Sequence, residues 1–317
     1  MAPNVDQRAV ADRLVLGTWR IFRTHAASDS SIARLPEGQQ QLQRLLSAAW
    51  QAGITTADTS LAYGGKAGYE RLAAYFQTTG HKFSLTAKVG RRFVCGRFES
   101  CLEVGELIAE VKLVESIVGD VDVILIKDPP VQAVISRRFE EILESIGRVF
   151  RGRAIGVSTH IPEIVDCLSR FRRTGVVMAE YNMINQQLMG DVLRNAKQAG
   201  WHVWSMQPLA YGFLGGRVSR NTVFEKDDFR SQMSMFCRQT LVAFAESFAA
   251  LIESSLPNVS LAAASIAYCL LNPDIDRVVV GPTNVQQLSS ALNALEVVDL
   301  QSFRCFAARM RDQDRCQ

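Results

Sequence analysis

The chain has 317 residues, 48% of them hydrophobic and 21% charged, with a formal net charge of +3. That length supports one large core or two modest ones, and the near-neutral charge argues against a nucleic-acid-binding surface. The basic clusters Arg91-Arg92, Arg137-Arg138, Arg151 with Arg153, and Arg172-Arg173 fall at predicted loops and helix ends, where they read as solvated surface.

Along the chain, short apolar β-branched runs alternate with longer amphipathic ones. The runs predict strands at 14–19, 54–58, 83–88, 121–127, 154–158, 176–181, 202–206 and 276–281. Between them the periodicity predicts helices over 38–52, 67–79, 103–118, 136–149, 161–170, 187–199, 232–254 and 284–296. Strands such as VILI and RVVVG are apolar almost throughout, the pattern of strands covered on both faces in a parallel sheet. Eight strand–helix units in one chain, with no second composition class, predict a closed (β/α)₈ barrel forming one domain over 1–317. Surplus length falls after Lys88 (VGRRFVCGRFESC), in the long stretch after the seventh strand, and in a helical segment split at Pro257. The first two lie on the C-terminal face, where loops carry function.

Cysteines 95, 101, 167, 237, 269, 305 and 316 are odd in number and irregularly spaced, with no CxxC. They read as reduced, buried thiols rather than a disulfide framework or zinc site. The four histidines are unclustered, so no metal site is expected. MAPNVDQRAVADR has no apolar signal core, and no run of 18 apolar residues occurs. The expectation is a cytoplasmic protein without a membrane span.

Chemistry concentrates at successive strand ends. ITTADTSLAYGG (54–65) ends a buried strand in Asp58 and places Tyr63 five residues later, before a Gly-Gly turn. FSLTAKVG ends the next strand in Lys88, and VDVILIKDPP ends the following one in Lys127. A phenol ionises near pH 10, and a neighbouring ammonium is expected to lower that value. A carboxylate holds and balances the lysine. Such a tyrosine can give a proton to a carbonyl oxygen or take one from an alcohol.

These motifs resemble the aldo-keto reductase superfamily nearly end to end. LVLGTWRI resembles its opening strand, ITTADTSLAYGG its D-T-A-x-x-Y-G motif, and LTAK the segment carrying its lysine. FRGRAIGVST, MAEYN, QPLAYGFLGG and VVVGPTNVQQL resemble its later segments. The resemblance implies a (β/α)₈ barrel with NADP(H) across the C-terminal face, reducing small-molecule aldehydes or ketones. Asp58, Tyr63 and Lys88 match three members of the family's catalytic tetrad. At the place of the fourth, a histidine, stands Lys127, which either polarises the carbonyl or turns aside to pair with Asp58 or Asp128. His160, at a neighbouring strand end, is placed to reach the same pocket.

At the implied cofactor positions, Ser158 matches the family serine. Thr159, Met178 and Met206 replace the usual asparagine, glutamine and aromatic residue. Leu209, Gly212 and Leu214 would offer backbone contacts to the pyrophosphate, and Gly281 and Gln287 match at the adenine end. Because these positions depart from the pattern, a second reading stands beside the reductase: a nicotinamide-independent lyase, isomerase or dehydratase using Lys127 or Lys88 with Tyr63. Two lysines in one dry pocket repel, and a neutral amine attacks carbonyls. A third reading is a non-catalytic binding subunit. The expected partner is a small-molecule substrate in a pocket formed by 89–101 and 210–235, with no nucleic acid or membrane.

Overall fold

The computed structural model describes residues 7–22, 36–94, 97–171, 174–226 and 228–313. Cys95, Cys316, His25 and the Arg172-Arg173 cluster lie outside the described residues. Among the described residues there are ten strands. They are β1 (Leu14–Gly17), β2 (Thr56–Ser60), β3 (Ser84–Val89), β4 (Arg91–Val94), β5 (Arg97–Ser100), β6 (Val123–Lys127), β7 (Ala154–Thr159), β8 (Val176–Glu180), β9 (His202–Met206) and β10 (Arg277–Val280). Eight of them close a parallel barrel in the order β1-β10-β9-β8-β7-β6-β3-β2. The surplus after Lys88 is not a loop: β4 and β5 form an antiparallel hairpin. Gly90, at φ +81°, makes the sharp turn into it, where a Cβ would meet Leu107 Cδ2 at 3.0 Å and the Cys101 carbonyl at 3.1 Å.

The period-2 alternation of each strand decides which side chains face the barrel axis. Ile124 and Ile126 of β6 join the large core between strands and helices, while Val123 and Leu125 join a separate interior cluster with Val15, Val176, Met178, Trp204, Met206 and Val279. The same parity turns Ala57, Leu85, Ala87, Val157, Val177 and Ala179 outward. Asp58, Lys88, Lys127, Ser158 and Glu180 are therefore in phase with the axis. Below them the interior holds the apolar cluster together with Thr56, Thr86 and Arg277, whose guanidinium lies over the Trp204 ring and donates to Thr56 Oγ1 at 2.8 Å.

Element limits differ from the sequence reading in instructive ways. β2 runs on to Ser60 rather than stopping at Asp58, because Ser60 closes two links at once. Its Oγ donates to the Lys88 carbonyl (3.2 Å) and accepts from the Ala62 amide (3.2 Å), capping helix Leu61–Thr79. That helix begins six residues earlier than expected and is broken at Gly64 and Gly65. A Cβ on Gly64 would lie 2.8 Å from the Phe22 carbonyl, so the glycine permits this packing. β1 is shorter than expected, and helix Trp19–Phe22 starts directly after it. The helices Val131–Ile135 and Gln301–Gln313 were not expected.

The split helical segment divides into Met235–Ser255 and Leu261–Leu270. The first is long and apolar enough, at mean hydropathy 1.3, to cross a membrane by composition. In the fold it packs against helix Leu261–Leu270 and the turn at 210–215, with Val242, Ala245 and Ile252 buried. Cys101, Cys167, Cys237, Cys269 and Cys305 are all free thiols, but only Cys167 and Cys269 are buried; Cys237 and Cys305 are exposed, contrary to the sequence expectation.

Candidate active site

The site is built from a buried ammonium with every donor in use. Lys88, 2% exposed, hydrogen-bonds both oxygens of Asp58 and donates to Tyr63 Oη at 3.0 Å. An ammonium has three N–H groups, so this one is saturated. Tyr63 Oη accepts from Lys88, which leaves the phenolic proton free for another acceptor. The Asp58 backbone is fixed in turn, because its carbonyl accepts from both the amide and the hydroxyl of Thr18 at 3.0 Å. The Tyr63 ring packs edge-on against Trp19, with centroids 4.8 Å apart.

Burial, not charge, dominates the proton affinity of Tyr63. Desolvation pushes the phenol up to about 12 even though Lys88 pulls it down. The lowered value expected from sequence is thus reversed, while the direction of the Lys88 contribution stands. Burial also disfavours the Lys88 ammonium, but Asp58 and Tyr63 outweigh it and the lysine stays charged well beyond neutral pH.

Lys127 sits two residues beyond Leu125, the register partner of Lys88, and so one layer higher on the same inward face. Its amine lies 3.1 Å from Asp128 Oδ2 and 3.1 Å from His160 Nε2. It therefore pairs with Asp128 and not with Asp58, as one of the two sequence readings allowed. Desolvation, reinforced by Lys88 and opposed by Asp128, brings its pKa down to about 8. Asp128, at the strained φ of +43°, also binds Arg91, and its carbonyl accepts from Ser100 Oγ at 2.9 Å. The β4–β5 hairpin is strapped to the Lys127 wall by these two contacts. Arg91 and Arg92 are thus engaged rather than simply solvated, since Arg92 binds Glu106 and Glu110.

Three residues of the site carried no weight in the sequence reading. Glu180 ends β8 in phase with Met178, and its Oε2 lies 3.0 Å from His160 Nδ1 and 3.0 Å from Tyr211 Oη. Period-2 parity from Met178 was the signal that would have found it. Tyr211 and Gln207 have positive φ (59° and 58°) in the turn after β9, a strain no local sequence rule announces. Gln207 Oε1 is buried without a hydrogen-bond partner.

At the implied cofactor positions the placements divide. Ser158 is fully buried, and its hydroxyl has only the Met206 thioether, 3.7 Å away. Met178 and Met206 line the barrel interior. Thr159 is out of phase with Ser158, and its Oγ1 accepts from the Ile161 amide at 3.1 Å. The Gly212 and Leu214 amides both donate to the Leu209 carbonyl (2.8 and 3.1 Å), so those two donors serve the turn itself. Gln287 Oε1 accepts from the amide and hydroxyl of Thr283 (3.0 and 3.1 Å). Gly281 is exposed beside the Gly17 carbonyl.

A nicotinamide dinucleotide fits this donor set at both ends. An orphaned acceptor on Gln207 and a weakly used hydroxyl on Ser158 suit a carboxamide. Near Gly281 a cleft of about 420 Å³, lined by Gln40, Gln41, Arg44, Asn284, Val285 and Gln286, offers a cation and amides for the distal phosphate end.

Comparison with known proteins agrees with this geometry. The profile of the aldo/keto reductase family matches residues 13–303. An uncharacterized oxidoreductase of Bacillus subtilis (strain 168), YrpG, is 28% identical over 118 residues, which is 37% of this chain and only 34% of that protein's length. The fold is similar to that of a glycerol dehydrogenase from Gluconobacter oxydans, with a TM-score of 0.74 and 22% identity over 95% of this chain and 90% of that one. It is also similar to the holo form of an aldo-keto reductase from Bacillus halodurans, with a TM-score of 0.68 and 16% identity over 96% and 91% of the two chains. The barrel, its inward carboxylate–tyrosine–lysine cluster and the match over nearly the whole length lead to one assignment: the chain belongs to the aldo/keto reductase family.

Proposed function

We propose that this protein is an NADP(H)-dependent oxidoreductase that interconverts a small-molecule carbonyl compound and its alcohol, with Tyr63 as general acid and base. The observation that carries this reading is the saturated Lys88 ammonium, which accepts no further partner and leaves the Tyr63 proton free for another acceptor. The cofactor, when bound, supplies or accepts a hydride at the carbonyl carbon. Tyr63 is fully protonated at neutral pH because burial holds it near 12, so it is loaded as an acid. As negative charge grows on the carbonyl oxygen, the Tyr63 O–H bond breaks and the proton moves to that oxygen. The phenolate is held by Lys88, whose charge is fixed by Asp58. Lys127 donates a hydrogen bond to the same carbonyl oxygen, the duty of the histidine it replaces. Ser158 and Gln207 orient the carboxamide of the nicotinamide, the turn at Leu209 to Leu214 lies along the pyrophosphate, and Gly281, Gln287 and Arg44 border the adenosine end.

A second reading rests on Lys127, whose pKa of about 8 leaves some neutral amine at physiological pH. That amine is a nucleophile for carbonyls, and a Schiff base there would support a non-redox reaction. Titrating the protein with NADPH and NADH, followed by fluorescence, separates the two. Saturable binding of either supports the reductase, and no binding at millimolar concentration sinks it. Borohydride trapping of a carbonyl adduct, lost on Lys127→Ala, would establish the second reading instead.

A further inference from the structure

A continuous line of polar groups leads from Lys127 to the protein surface. The Lys127 amine meets His160 Nε2 at 3.1 Å, His160 Nδ1 meets Glu180 Oε2 at 3.0 Å, and Tyr211 donates to that same carboxylate oxygen at 3.0 Å. Glu180 Oε1 is 3.5 Å from Asn182 Nδ2. Asp128 lies 3.1 Å from Lys127 on the other side and shares its charge with Arg91. Asp58, Lys88 and Tyr63 occupy the layer below.

Donor chemistry fixes the direction of these bonds. An ammonium has no lone pair, so Lys127 donates to His160 Nε2. The imidazole proton must then sit on Nδ1, where it is donated to Glu180. A proton can cross the Lys127–His160 bond to leave a neutral amine and an imidazolium. Nδ1–H still serves Glu180, no heavy atom moves, and the total charge is unchanged. Two cations, Lys127 and Arg91, face two anions, Asp128 and Glu180, so the cluster is neutral in either form. The two ends differ in access: the Lys127 side chain is 12% exposed and that of His160 is 32% exposed.

We propose that His160 and Glu180 are positioning residues that hold Lys127 in a proton-sharing triad and carry protons between solvent and the Tyr63 pocket. The proposal rests on the reading of Tyr63 as the acid. Each reduction breaks the Tyr63 O–H bond and forms the alcohol O–H bond, so one proton per turnover must come from water. Lys88 is sealed beneath Tyr63, while His160 reaches the surface. The Lys127 ammonium first gives its proton through the product hydroxyl to the phenolate, which leaves a neutral amine and frees the His160 Nε2 lone pair; a solvent proton adds at Nε2 while Nδ1–H stays on Glu180, and it then crosses from Nε2 to the Lys127 amine.

The test begins with the cofactor-free protein. Long-range proton–nitrogen NMR spectra of [15N]histidine-labelled protein are recorded from pH 5.5 to 9.5, with His160 assigned by the signals lost in His160→Gln. The expected result is an imidazole carrying its proton on Nδ1 whose signals respond near pH 8, where Lys127 releases its proton. That response vanishes in Lys127→Met, and the tautomer preference weakens in Glu180→Gln. An Nε2–H tautomer, or a titration identical in wild type and Lys127→Met, overturns the triad. In turnover, His160→Gly should lower kcat roughly tenfold to a hundredfold with little change in KM, within the range of proton-transfer effects. Added imidazole should restore part of the rate. Unimpaired turnover in His160→Gly overturns the relay even if the NMR coupling is present. A wild-type protein inactive on every carbonyl compound would defeat the reductase reading, whereas the spectra decide the triad without any substrate or cofactor.

Discussion

Replacing Asp58 with alanine strands the Lys88 ammonium in a site where its side chain is 2% exposed. Two of its three donors lose their acceptor, and only the Tyr63 bond at 3.0 Å remains. Breaking a buried ion pair from one side costs about 3–5 kcal/mol, because the remaining charge is uncompensated. An unfolding entropy of about 2.1 cal/mol/K per residue amounts to about 0.7 kcal/mol/K over 317 residues, so Tm should fall by about 4–8 °C. The pH dependence carries the sharper signature. In the wild type the Lys88 pKa is raised, so its contribution is complete below the unfolded value near 10.4 and is lost only above it. In the variant, with Asp58 gone, burial outweighs the Tyr63 bond that remains and lowers the Lys88 pKa below that of the unfolded chain. The unfolded state then binds more protons, and variant stability rises with pH. The gap in Tm should therefore narrow between pH 7 and pH 9.5 in thermal melts followed by circular dichroism. The double variant Asp58→Ala/Lys88→Met should recover part of the loss while remaining inactive. A Tm within about 1 °C of wild type at both pH values would refute the premise that this pair is dry.

Tyr63→Phe should leave cofactor affinity near wild type while lowering kcat by about 10²–10⁴-fold, the usual worth of a positioned acid; the Lys88 N–H left without its acceptor should cost about 1–3 kcal/mol of stability. Equal turnover in steady-state assays would mean that the acid lies elsewhere. Lys127→Met tests a different sign. Folded Lys127 releases its proton near 8 while the unfolded chain holds it to about 10.4, so this residue makes wild-type stability rise with pH across that window. Denaturant melts of Lys127→Met should lack that rise, and parallel pH curves for the two proteins would contradict the lowered value. Gly156→Ala should cost about 3 kcal/mol or more, since its Cβ would be placed 1.7 Å from the Val176 carbonyl in the neighbouring strand. Normal expression with an unchanged melting curve would show that the β7–β8 register is other than described here.

The sequence by itself determined the barrel, the order of its units and the strands that carry Asp58, Lys88 and Lys127, although it ended β2 two residues early. Both-face burial and period-2 alternation are local properties, and they are written directly into runs such as VILI and AIGVS. Tyr63 was legible because it follows a strand end and precedes a Gly-Gly break. Three things were decided only by the tertiary structure, each because it depends on residues far apart in the chain. Desolvation reversed the expected direction for Tyr63, since burial sums contributions from every surrounding element. Lys127 found Asp128 and His160 rather than Asp58, because barrel closure places β7 beside β6 with Lys127 opposite Ser158. Glu180 joined that site through His160, an alignment of two adjacent strands that neither segment specifies alone. The tyrosine and its lysine were visible as residues. The direction in which each proton is held was set by packing, because the environment of a buried charge belongs to the whole fold.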